Sequence, residues 1–296
     1  MIWQTTRFRL DLFRPRIMGI VNVTPDSFSD GGQHPDQDSA LRHCEQLLRD
    51  GADLLDIGGE STRPGAAAVP ADVELSRVLP VVRHALTLGV PISVDTRRAA
   101  VMRTVLDLGV DVINDVNALQ DPACRDLVSA HPGCGICLMH MHRDPRTMQQ
   151  MPMQGDAVPE VRRFLAEAAA SLQALGVARE RIVLDPGIGF GKTVAQNFSL
   201  LARQHELTEL GYPLLVGWSR KSSLGAVAAR GSVVPSAADR LPASLAAALL
   251  SVERGAAIVR VHDARETAQA LAVWQAVRDG RTPSVDAGVK DSSIDS

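Results

Sequence analysis

Three polar residues stand where strand-like runs end: Asp95 in Ser-Val-Asp-Thr, Asn114 in Ile-Asn-Asp and Asp185 in Leu-Asp-Pro-Gly. Burying a carboxylate or an amide costs several kcal/mol unless it finds a partner. A helix N-terminus is one conventional partner and would suit Asp185. Convergence of all three suits a flat, nitrogen-rich heterocycle, whose guanidine-like edge donates two hydrogen bonds to one carboxylate. A second group is cationic. Arg260-Val-His262-Asp263 sets a guanidinium and an imidazole two positions apart, so in a strand both leave the same face. Ser219-Arg-Lys221-Ser222 follows another apolar run and opens a helix, where backbone N–H groups and cations favour an anion. Arg63 lies in Gly58-Gly-Glu-Ser-Thr62-Arg63-Pro64-Gly65. It reads either as a surface ion-pair partner or, flanked by small and rigid residues, as a fork of donors for phosphate.

Other patterns carry less. Asn22-Val-Thr-Pro-Asp26-Ser-Phe28-Ser-Asp30-Gly-Gly32 has a carboxamide at its root, two carboxylates four apart and an aromatic. It reads as a Gly-capped turn or, better, as a closing loop. Asp185-Pro-Gly-Ile-Gly-Phe-Gly191-Lys192-Thr193 ends like a phosphate loop, but Pro186 stands where the first glycine belongs. Its glycines read as close backbone approach beside Asp185. His140 and His142 lack a third metal ligand at a recognisable spacing and read as structural or pocket-wall residues. Cys134-Gly-Ile-Cys137 enters an apolar run, where residues three apart face opposite sides, so packing is expected rather than redox chemistry.

Positioning these groups falls to a repeated unit: a short β-branched run, a turn of Gly, Pro, Asp or Asn, then an amphipathic stretch. The eight runs are 17–23, 54–57, 92–94, 112–113, 136–139, 182–184, 214–216 and 258–261. They are apolar on both faces, as buried parallel strands are. Helix-like segments include 39–49, 72–88, 99–108, 158–175 and 241–254, with Ser39 and Asp72 as expected N-caps and Gly51, Gly89, Gly109, Gly176 and Gly255 as left-handed C-terminal caps. Eight strand-helix units over one undivided chain predict a (β/α)8 TIM barrel, an α/β fold. An open doubly wound sheet is the competitor. The barrel is preferred because Asn22, Asp56, Asp95, Asn114, Met139 with His140, Asp185, Ser219, and Arg260 with His262 all fall at the C-terminal ends of runs, which a barrel gathers at one mouth. The last strand then neighbours the first, so Arg260 and His262 should lie beside Asn22, with Arg63 one strand further round. This makes a cationic pocket suited to a diphosphate and its metal ion, next to the heterocycle. Residues 1–15 form an N-terminal extension that covers the barrel's bottom, 16–280 the barrel, and 281–296 a polar, frayed tail.

A net charge of -3 with no Lys/Arg cluster argues against a nucleic-acid partner. The start lacks the apolar core of a signal peptide, and no run is long enough to span a bilayer, so a cytoplasmic protein is expected. Four irregularly spaced cysteines are no disulfide scaffold.

In order and spacing, the quoted loops, with Leu-Met-His-Met at 138–141, resemble the bacterial dihydropteroate synthases of folate biosynthesis from about residue 17 to 277. The resemblance implies a Mg²⁺-assisted condensation of 6-hydroxymethyl-7,8-dihydropterin diphosphate with para-aminobenzoate. Asp95, Asn114, Asp185 and Lys221 would hold the pterin, Arg260 would stack beside it, and Met139 would line the wall. Asn22 would meet Mg²⁺, while Thr62, Arg63 and His262 would meet the diphosphate. Ser222 would bind the para-aminobenzoate carboxylate between Phe28 and Pro64. Arg63, Asp95, Lys221 and His262 are thus the expected catalytic residues, and a homodimer is implied. Ile188, Trp218 and the 233–238 loop depart from the usual pattern without touching an expected contact. Two rivals share part of this pattern. A pterin-binding methyltransferase of the corrinoid-linked type would share Asp95, Asn114 and Asp185 but lack the Thr-Pro-Asp-Ser-Phe loop and the Ser-Arg-Lys-Ser anion site. A catalytically silent paralogue would have lost Asn22, Arg63, Lys221 or His262, and all four are present.

Overall fold

The computed structural model describes residues 1–24, 35–61, 65–144, 147–148 and 150–280. Eight parallel strands close into a barrel: β3 (Arg16–Asn22), β4 (Leu54–Gly58), β5 (Ile92–Asp95), β6 (Val112–Asp115), β7 (Gly135–Met139), β8 (Ile182–Asp185), β9 (Leu214–Val216) and β10 (Ala256–Val261). Each strand pairs with its sequence neighbours, and β10 returns to β3 with Val261 opposite Gly19. This is the (β/α)8 TIM barrel expected from the sequence.

The helices form the outer ring: α1 (Pro35–Arg49), α2 (Ala71–Ala85), α3 (Ala99–Asp107), α4 (Pro122–Ala130), α5 (Ala157–Ala174), α6 (Val194–Ala202), α7 (His205–Thr208), α8 (Ser222–Ala228), α9 (Leu241–Glu253) and α10 (Ala264–Asp279). Between ring and barrel lies a continuous shell of Val, Leu, Ile and Ala from strands and helices. Two expected caps are corrected. The first helix begins at Pro35, so Ser39 is inside it, and Pro70 caps the second, with Asp72 in its first turn opposite the positive end of the dipole. The glycines at 51, 89, 109, 176 and 255 do take φ between 73° and 100°, the left-handed region that a side chain disfavours.

Residues 1–15 carry an antiparallel hairpin, β1 (Ile2–Gln4) and β2 (Arg9–Asp11), that was not resolved into strands at the sequence level. It seals the barrel floor. Trp3, wholly buried, packs with Leu12, Met18, Leu54, Val112, Cys137, Val183, Leu215 and Ile258, and its indole N–H donates to the Arg181 carbonyl at 3.0 Å. Arg7 locks the hairpin to the sheet through Asp111, at 2.6 Å, whose carboxylate also accepts the Ile92 amide. Cys137 joins this interior cluster and Cys134 the outer shell, so the Cys-x-x-Cys pair straddles the sheet as packing residues. Among the described residues no helix is long and apolar enough to cross a membrane. Residues 281–296 lie outside the described residues.

Candidate active site

The floor dictates the site by simple alternation. Side chains two positions apart on a strand share a face, so the residues two beyond Leu54, Val112, Cys137, Val183 and Ile258 also point into the barrel. They are Asp56, Asn114, Met139, Asp185 and Arg260. A polar layer therefore sits directly on an apolar plug, at the C-terminal end of the strands, where (β/α)8 barrels carry their chemistry. Asp95 joins it from β5.

Arg260 is the centre of this layer. Its Nε donates to Asp56 Oδ2 at 2.6 Å and its Nη2 to Asp95 Oδ2 at 3.1 Å. The same Asp56 oxygen accepts Asn114 Nδ2 at 3.1 Å. Asp185 accepts the Gly187 amide at 2.7 Å, a partner supplied by its own Asp-Pro-Gly turn and not by a helix N-terminus. Burial pushes the Asp95 carboxyl up to about 7, against the pull of Arg260, and pushes Asp185 up to about 6, against the Gly187 hydrogen bond and Lys221. Burial and the nearby Arg260 lower Lys221 to about 8, although Asp185 and Asp95 favour its charge. Asp95, Asp185 and Lys221 thus titrate close to neutral pH.

An apolar wall flanks the polar floor: Val116, Met139, Met141 and Met148 with Phe190. Lys221 Nζ lies 4.2 Å from the Phe190 ring centroid, a cation–π contact. Gly189, at φ +82°, lets the Lys221 stem pass, since a Cβ there would meet its Cδ at 3.2 Å. Only Met139 of this wall was singled out from sequence. Val116, Met141, Met148 and Phe190 lie on loops, where no period marks a facing side.

Lys192 was also missed as a working residue. Its buried ammonium donates to the carbonyls of Gly187 at 2.8 Å, Phe190 at 3.1 Å and His140 at 3.2 Å, tying the loop after β8 to the end of β7. The near-phosphate-loop is therefore an internally closed turn. A Cβ on Gly187 would lie 1.9 Å from the His140 carbonyl oxygen, and one on Gly191 2.5 Å from that of His142, which is the close approach its glycines permit. His140 is buried edge-on to Phe164, and burial with Lys192 nearby drives it down to about 2.

The anion side of the mouth is built from β9 and β10. Ser219 Oγ accepts the His262 backbone amide at 3.2 Å and lies 2.9 Å from His262 Nδ1. Burial, then Arg220 and Arg260, lowers His262 to about 3, so the ring is neutral at physiological pH. A serine hydroxyl that donates to Nδ1 would leave the ring proton on Nε2. Arg220 pairs with Asp263 and anchors the turn that carries Lys221. Ser222 is exposed at the first residue of α8, and Trp218 is buried against Phe198 behind the turn. Asn22 ends β3 opposite Gly58, half-buried, and β3 does neighbour β10. Phe28, Thr62, Arg63 and Pro64 lie outside the described residues.

Known proteins point the same way. The family described as "Pterin binding enzyme" matches residues 18–262. A dihydropteroate synthase of Neisseria meningitidis serogroup B is 51% identical over 281 residues, covering 93% of this chain and 97% of that protein. Two solved structures superpose closely. The Xanthomonas albilineans dihydropteroate synthase with 4-aminobenzoic acid has a TM-score of 0.86 at 46% identity, covering 94% of this chain and 99% of the other. The Burkholderia cenocepacia enzyme complexed with 7,8-dihydropteroate gives 0.84 at 48%, covering 94% and 97%.

Proposed function

The chain belongs to the pterin-binding enzymes and, within them, to the dihydropteroate synthases, and from that membership we propose how its barrel mouth divides the work. As a transferase of folate synthesis it joins the pterin methylene of 6-hydroxymethyl-7,8-dihydropterin diphosphate to the amine of para-aminobenzoate. The C–O bond to diphosphate breaks, the C–N bond forms, and the amine loses a proton. The observation that carries this reading is the interior layer of Asp56, Asp95, Asn114, Asp185 and Arg260, walled by Val, Met and Phe. Such a floor accepts N–H donors at one edge of a ring and sandwiches its faces.

In our reading Asp95, Asp185 and Asn114 hold the pterin edge. Lys221 and Arg260 balance the buried carboxylates, with Arg260 stacking on the ring beside Met139. Diphosphate is already a good leaving group, so no protein nucleophile is required. The protein's task is to stabilise the departing charge and to keep water from the electrophilic methylene. His262, neutral with its proton on Nε2, donates to the diphosphate together with Thr62 and Arg63. Ser222 takes the para-aminobenzoate carboxylate, with Phe28 and Pro64 against its ring.

Among the described residues, Mg²⁺ fits the donor set through Asn22. Among the described residues no cluster of three His, Cys, Asp or Glu side chains is arranged to hold a metal ion. Asn22 offers a hard carboxamide oxygen at the end of β3, so an ion there would draw its remaining ligands from diphosphate and water. When bound it would neutralise charge on the leaving group. We extend the reading to a cytoplasmic homodimer, supported by the exposed Leu250 on α9 and Val273 and Val277 on α10. Light scattering on the purified chain tests the dimer.

The test of function is a diphosphate-release assay with the pterin diphosphate, with and without para-aminobenzoate and Mg²⁺. Amine-dependent release is expected. Its absence in both metal conditions would sink the reading.

A further inference from the structure

Asp56 has no role in the reaction as described, yet its side chain is wholly buried. One of its oxygens accepts both Arg260 Nε at 2.6 Å and Asn114 Nδ2 at 3.1 Å. The other, Oδ1, is buried with no hydrogen-bond partner. Stability alone does not account for this arrangement. Removing a carboxylate and a guanidinium from water costs about as much as their attraction returns, and well-packed apolar residues often serve as well or better. This barrel uses that option one layer down, with Leu54, Val112 and Ile258 on the same three strands.

What the carboxylate does provide is orientation. Bonds from Nε to Asp56 and from Nη2 to Asp95 fix the plane of the guanidinium. A ligand that occupies Asp95 has to displace only Nη2, while Nε stays on Asp56. The amide of Asn114 is fixed by the same atom. Because Nδ2 donates to Asp56, the carbonyl oxygen of Asn114 is turned away from it and is left as an acceptor. Asn114, Asp95 and Asp185 then present acceptors together.

We propose that Asp56 is a positioning residue for pterin recognition: through one oxygen it sets the plane of Arg260 and the amide orientation of Asn114, making the floor selective for a heterocycle edge rich in N–H donors. This rests on the pterin reading above. Without the Asp56 charge, Arg260 moves wholly onto Asp95 and competes there with the ring.

The test is Asp56→Asn, nearly isosteric but uncharged, with calorimetric binding of 6-hydroxymethylpterin alone and steady-state kinetics for both substrates. Ring affinity should fall on the order of tenfold or more, the effect of losing a charge-assisted hydrogen bond. The melting temperature should fall, because half of a buried pair is lost, but the KM for para-aminobenzoate should be unchanged. Arg260→Lys and the double variant close the cycle: if Asp56 acts in part through Arg260, the double variant loses less than the product of the two single losses. Ring binding within about twofold of the parent overturns the proposal. So do losses that multiply independently, or a loss shared by both substrates. If Asp56→Asn does not fold, Asp56→Ser is read by the same criteria. Because ring binding needs neither amine nor turnover, unaltered binding with normal diphosphate release removes only the Asp56 role, whereas absent release in the parent removes the reaction.

Discussion

Replacing Arg260 by methionine keeps much of the stem and deletes the counter-ion of two buried carboxylates. Arg260 lies 2.6 Å from Asp56 and 3.1 Å from Asp95, whose side chains are 0% and 13% exposed. Removing one partner of such a pair costs about 3–5 kcal/mol, a large part of the roughly 5–15 kcal/mol that holds a domain folded. The cost should depend on pH in a set direction. Asp95 already stands at about 7, held down by Arg260 against burial, so deleting Arg260 moves it higher. A carboxyl whose folded value lies above its unfolded one binds its proton more tightly in the folded state. Stability then falls as pH rises between the two values, by about 1.4 kcal/mol per pH unit. In the parent that interval closes near 7, while in the variant it extends beyond. The stability gap between them should widen by up to about 2 kcal/mol from pH ~7 to ~8.5 and stay constant below pH ~7, where both lose stability at the same slope. Urea unfolding at several pH values, followed by tryptophan fluorescence, measures it. A gap that is independent of pH, or smaller than about 1 kcal/mol throughout, would refute the reasoning.

For the parent, kcat/KM for the pterin diphosphate should rise as Asp185 and Asp95 ionise near 6 and 7 and fall as Lys221 loses its proton near 8. A rate profile that is flat across this range counts against those roles. Trp3→Ala should cost about 3–5 kcal/mol by leaving a cavity under the barrel and orphaning the Arg181 carbonyl. Because the hairpin is at the end remote from the mouth, KM values measured on the folded variant should match the parent's, and a shifted KM would contradict the division. Gly187→Ala should abolish pterin binding, since its Cβ would lie 1.9 Å from the His140 carbonyl oxygen. Gly89→Ala, with φ +73° and open space around it, should cost only about 1–2 kcal/mol in melting experiments and leave binding intact.

The barrel was legible because its signals are local. Runs such as Ile92–Asp95 are short, β-branched and buried on both faces, and Gly109 and Gly176 mark helix ends by a conformation that few other residues tolerate. The ring of strand-end polar groups followed from counting along those runs. The floor hairpin was hidden because three-residue strands such as Ile2–Gln4 are too short to show a period. Ser39 and Asp72 looked like caps because their side chains suit a cap, but the helices begin earlier, at Pro35 and Ala71. Asp56 was visible as a ring member without a task, since its partner Arg260 is 204 residues away and only barrel closure brings them together. Lys192 is a similar case. Its motif only resembled a phosphate loop, and its three carbonyl partners are contributed by a fold that spacing alone does not specify.

The ladder between β10 and β3, which sets Val261 against Gly19, also orders events in time. During synthesis Asp56 and Asp95 leave the ribosome long before Arg260 exists. Until then the nascent chain has an open row of strands with two edges and two inward carboxylates lacking their cation. Joining the last strand to the first therefore closes the ring, removes the exposed edges and neutralises the interior in a single late event. The binding floor thus takes its final form only with the closure that pairs β10 with β3.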